Sequence, residues 1–91
     1  MLLQVSNRKA KRLMAMFSNG KVVHFGSSNG TTFIDGANEA KKRAYLARHG
    51  KNNENWDDPY TPGALSKWIL WGDSPSLITN YHTFIRHFNL N

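Results

Sequence analysis

Asn19-Gly20 is the strongest local constraint in the chain, because it sits between two β-prone runs, Leu13 to Phe17 and Val22 to Phe25. An Asn-Gly step tolerates the positive φ angles of a type I′ turn, whose twist matches that of two antiparallel strands. The spacing predicts a β-hairpin. Upstream of it, residues 1–10 show neither a helical nor a strand period and read as a basic N-terminal arm. Residues 11–91 then form a single small domain.

Downstream, Gly26 to Thr32 is turn chemistry throughout, and Phe33-Ile34 is either a short third strand or an apolar anchor for that loop. Asp35 is placed to cap a helix over Ala37 to His49 that stops at Gly50, with Glu39 spaced to pair with Lys42 and Arg43. Ala40, Ala44, Ala47 and Tyr45 fall along one side of this helix, a slim stripe suited to close approach to the hairpin. Lys51 to Tyr60 is a polar loop around Trp56. Thr61-Pro62 then opens a short helix that ends at Gly72. Ser74-Pro75 repeats the start signal, and Leu77, Ile78, Tyr81, Phe84, Ile85 and Phe88 follow on one face of a third helix. The expectation is an α+β domain, an N-terminal β-hairpin packed against about three α-helices.

Composition decides what can hold such a domain together. A chain of 91 residues buries only about 60 to 65% of the surface it exposes when unfolded, so the core is thin. Its 40% hydrophobic content and three Trp place it outside the range of disordered chains. The absence of cysteine leaves packing as the source of stability and fits a reducing compartment. The apolar start, Met1 to Val5, is too short for a secretory signal, and no run approaches the roughly 20 apolar residues of a membrane helix.

Charge is unevenly spread. Residues 1–51 carry ten Lys/Arg against Asp35 and Glu39, net +8, whereas residues 52–91 carry two against four acids, net −2, giving the total of +6. Such a field attracts phosphate or an acidic protein face over roughly 8 Å at physiological salt. The candidate partner-binding surface is Arg8, Lys9, Lys11, Arg12, Lys41, Lys42, Arg43, Arg48, His49 and Lys51. A solvated helix face that keeps the domain soluble accounts for the same pattern.

The aromatic residues divide in the other direction. Trp56, Trp68 and Trp71 could stack on bases, but Trp68 and Trp71 are three apart on one short helix beside Leu65, which is core spacing. Tyr45, Trp56, Trp68, Trp71, Tyr81, Phe84 and Phe88 are therefore assigned to the core. Replacing Trp68 by Ala is expected to cost about 3 to 5 kcal/mol.

No catalytic residue, metal ligand or cofactor site is assigned. His24, His49, His82 and His87 lack metal-ligand spacing; His82 and His87 are five apart and face different sides of a helix. A ββα-metal nuclease of the HNH type would need His24 as base and His49 as ligand. Asp57 and Asp58, adjacent before Pro59, suit Asx turns better than a general acid and base. Gly26 to Gly30 lacks the lysine and the strand-to-helix setting of a phosphate-cradling loop.

Four blocks in order carry a resemblance. Val23-His24-Phe25-Gly26, Arg43 to Asn52, Glu54-Asn55-Trp56-Asp57-Asp58-Pro59 and Ser66-Lys67-Trp68-Ile69-Leu70-Trp71 resemble a family of short, uncharacterised basic proteins of giant DNA viruses of eukaryotes, over roughly residues 11–88. The first ten residues and the glycine-rich segment between Gly26 and Glu39 depart from it. The resemblance implies a viral protein, with the virion capsid, and the host cytoplasm during assembly, as its setting. The expected function is a non-enzymatic virion structural protein, a minor capsid component whose basic half contacts acidic surfaces of other capsid proteins. The alternative is a nucleic-acid-binding protein acting on the viral genome.

Overall fold

The computed structural model describes residues 1–51 and 54–90. Three strands, β1 (Leu2–Val5), β2 (Lys11–Met16) and β3 (Val22–Ser27), form an antiparallel sheet in the order β1-β2-β3. A 3-10 turn at Phe33–Asp35 leads to α1 (Glu39–Gly50). Then come α2 (Pro62–Leu65), which runs on as a π-helical segment over Ser66–Leu70, and α3 (Leu77–Phe88). The fold is α+β, a sheet followed by three helices. Asn52 and Asn53, in the polar loop, and Asn91 lie outside the described residues.

The hairpin forms around Asn19-Gly20, but with a different turn. Only Gly20 takes a positive φ, +89°, and its N–H donates to the Phe17 carbonyl while Phe17 N–H donates to Lys21. That is a three-residue loop with a glycine bulge, which needs one left-handed residue where type I′ needs two.

The third strand comes from the segment read as an arm. Leu2 pairs with Met16 and Val5 with Leu13, so residues 2–5 are the edge strand β1. Phe33-Ile34 is not a strand: Phe33 is buried, and the Asp35 carboxylate turns back to accept from the N–H and hydroxyl of Thr32. With Asp35 engaged there, Asn38 caps α1 instead, accepting from Lys41 N–H at 2.8 Å. Likewise Ser76, not Ser74, caps α3.

One face of the sheet is covered by the helices. Leu13 pairs with Phe25 and Ala15 with Val23 in register, and Ala15 and Phe25 are fully buried with Leu65, Ile69, Leu70 and Phe84. The opposite face is open, and its row Leu2, Met16, Val22 crosses all three strands. Asn80 holds the corner between α2 and α3. Its amide donates to the carbonyls of Ile69 and Ser74 and accepts from Ser74 N–H.

Two packing expectations are corrected. The alanine stripe of α1 is not its core face, since Ala40, Ala44 and Ala47 are exposed and Tyr45, flanked by half-buried Lys42, Leu46 and His49, faces inward. Among the assigned core aromatics, Tyr45, Trp71 and Phe84 are buried, whereas Trp56, Trp68, Tyr81 and Phe88 are only half-buried. Their polar ends explain part of this. Trp68 Nε1 donates to the Trp56 carbonyl at 3.0 Å and the Tyr81 hydroxyl donates to the Met1 carbonyl, so both rings lie at the margin.

Candidate functional site: a cationic cleft

The ten basic residues assigned to a partner surface fall into two groups. Arg12, Lys42 and His49 are engaged internally. Arg12 pairs with Asp35; Lys42 lies 4.7 Å above the Phe33 ring and 3.8 Å from the Asp73 carboxylate, its side chain only 13% exposed. His49 packs on Tyr45, ring centroids 4.2 Å apart, with Nδ1 3.2 Å from Glu54 Oε2. Arg8, Lys9, Lys11, Lys41, Arg43, Arg48 and Lys51 are exposed, and among the described residues none of them forms an ion pair. Glu39 does not pair with Lys42 or Arg43.

Three of the exposed cations converge. A cleft of about 470 Å³ opens between the end of the hairpin, the loop after β3, α1 and α2, and Lys11, Lys41 and Arg48 line it. Lys11 opens β2 opposite Ser27, which closes β3. From α1 come Lys41, Ala44, Tyr45 and Arg48, at positions i, i+3, i+4 and i+7, which is one helix face. Leu70 and Trp71 supply apolar lining and Ser27, Thr31 and Ser66 supply hydroxyls.

The floor is closed to stacking. Tyr45 lies parallel to Trp71, centroids 4.3 Å apart and planes at 10°, with His49 over its ring as well. Burial, and next the Glu54 carboxylate, push the Tyr45 phenol up to about 12. His49 Nδ1 and Glu54 Oε2 are buried and face each other without hydrogen-bond geometry to any described partner. The cleft thus has a cationic mouth, an apolar floor and one carboxylate inside.

His24 lies elsewhere. It stands on β3, where Ser6 Oγ meets its Nδ1 at 2.7 Å, and partial burial, then Arg8 and Lys11, hold its imidazole below the usual value. No contact joins it to His49, and among the described residues no group of three His, Asp or Glu is placed to hold a metal ion. His82 is exposed, and His87 stacks on Trp68. Among the described residues, no helix is long and apolar enough to cross a membrane.

Sequence reasoning named Lys11, Lys41, Arg48 and His49 but missed Ser27, Thr31, Glu54 and Gly63 as their neighbours. The spacing of Lys41, Ala44, Tyr45 and Arg48 was the available signal, since it puts two cations beside an aromatic on one helix face.

A family profile, described as Family of unknown function (DUF5754), matches residues 1–49, more than half of the chain. No curated protein and no solved structure matches.

Proposed function

We propose that this chain, which belongs to the family of unknown function DUF5754, is a non-enzymatic assembly module whose basic half grips an acidic surface of other structural proteins. The setting is the one its sequence resemblance implies, a virion shell, where it acts as a minor capsid component. The observation that carries the reading is the division of its cations. Of the ten basic residues assigned to the partner surface, Arg12, Lys42 and His49 are used inside the fold, and the other seven are held in solvent without an ion-pair partner among the described residues. Exposed, unneutralised charge of one sign steers and orients an oppositely charged partner.

Nucleic acid is the competing ligand, and salt separates the two. A nucleic-acid binder loses affinity for a duplex or single strand steeply as salt rises, with a slope of about −0.7 to −0.9 per phosphate contacted. Fluorescence anisotropy with labelled 20-nucleotide duplex and single strands, read at about 50 and 150 mM salt, is expected to show no tight complex at the higher salt. In purified particles the protein is expected to fractionate with the shell. Tight oligonucleotide binding with recovery in the genome core would overturn the assignment.

A further inference from the structure

We infer that the cleft receives an extended acidic segment of the partner protein, with one apolar side chain of that segment seated on the cleft floor. This rests on the acidic-partner reading above and narrows it to a place and a shape of ligand.

Three observations point to it. Lys41 and Arg48 are seven residues apart on one face of α1, which is about 10 Å at 1.5 Å per residue. A segment in the extended polyproline II conformation advances about 3.1 Å per residue with three residues per turn, so two carboxylates three positions apart lie on one face and span nearly the same distance. Lys11 adds a third cation from the end of the hairpin. Between the charges the wall is apolar, with Leu70 and Trp71, which suits a hydrocarbon side chain lying between two acids.

The same walls disfavour a nucleotide strand. The Tyr45 ring is covered by Trp71 and His49, so it offers no free face to a base. Ser27 and Thr31 add hydroxyls that can pair with peptide backbone groups.

The test is a titration of the ¹⁵N-labelled full chain with a capped synthetic peptide containing Glu-Leu-Ser-Glu. Parallel titrations use the same peptide with both Glu replaced by Gln, the same peptide with Leu replaced by Gly, and oligothymidylate of equal charge. The expected result is amide shifts concentrated at Ser27, Thr31, Ala44 and Gly63, with weaker binding by both altered peptides. Lys41→Gln and Arg48→Gln, which alter exposed side chains, should each weaken binding several-fold, while Lys9→Gln and Arg43→Gln should not.

Shifts spread over Arg8, Lys9, Arg43 and Lys51 with a silent cleft would overturn the cleft assignment and leave the acidic-partner reading standing. Binding of oligothymidylate but not of the peptide, or of neither, would overturn both.

Discussion

The guanidinium of Arg12 meets both carboxylate oxygens of Asp35, Nη1 to Oδ2 at 2.5 Å and Nη2 to Oδ1 at 2.6 Å. The pair joins β2 to the turn ahead of α1, and Asp35 Oδ2 also accepts from the N–H and hydroxyl of Thr32 at 2.9 and 2.8 Å. One acid so fixes the loop that forms a wall of the cleft.

That pair gives a pH dependence of definite sign. The Arg12 guanidinium, aided by Thr32, holds the Asp35 carboxyl well below the ordinary 3.8. A depressed carboxyl pKa contributes stability that is complete above about pH 4 and is lost as pH falls toward the folded-state value. Asp35→Asn should cost about 1 to 2 kcal/mol at pH 7 in urea unfolding, and the gap to the unaltered chain should narrow below pH 4.

Tyr45 gives the opposite end of the pH scale. Its phenol, ordinarily at 10.0, is pushed up to about 12 by burial and by Glu54. The folded chain therefore holds this proton more tightly than the unfolded chain, and stability falls as pH rises from about 10 to 12. Absorbance at 295 nm should show one tyrosine titrating late, and Tyr45→Phe should remove it.

Asn80 is a buried amide that satisfies three backbone groups. Asn80→Ala should cost about 2 to 3 kcal/mol in chemical denaturation, because the Ser74 N–H and the Ile69 carbonyl lose their partner in the interior. Gly72→Ala should be worse still. A Cβ there would press on the Trp68 carbonyl and come within 2.7 Å of Asn80 Cγ, a contact that only a shift of the corner relieves.

Phe25, fully buried on β3, marks the centre of the core. Phe25→Ala should cost about 3 to 5 kcal/mol, and Trp68→Ala should cost less by about 1 to 2, since the Trp68 ring is half-exposed and sits against Lys67 and His87. Equal losses in thermal unfolding would contradict this placement of the core.

What was legible in the sequence was local. The hairpin at Asn19-Gly20, the Thr61-Pro62 start of α2 and the apolar face of α3 all declare themselves within one turn or one helix. β1 did not, because its pairing with β2 is a tertiary choice and its exposed Leu2 and Val5 give no inside-outside alternation. The fates of Arg12 and Lys42 were hidden for the same reason. Their partners, Asp35 and Asp73, lie 23 and 31 positions away, and nothing near either cation distinguishes it from its solvated neighbours. The cleft is legible only in fragments, three cations on two elements whose meeting depends on where α2 packs.

The core described above has contributors from both ends of the chain: Ala15 and Phe25 come from the hairpin, Leu65, Ile69, Leu70 and Phe84 from the last third. During synthesis the hairpin leaves the ribosome well before its covering helices exist. Its apolar face must wait, wet and adhesive, until residue 84 has emerged, so the nascent chain needs either speed or a chaperone's cover. A fragment ending at residue 49 would stay in that unfinished condition permanently.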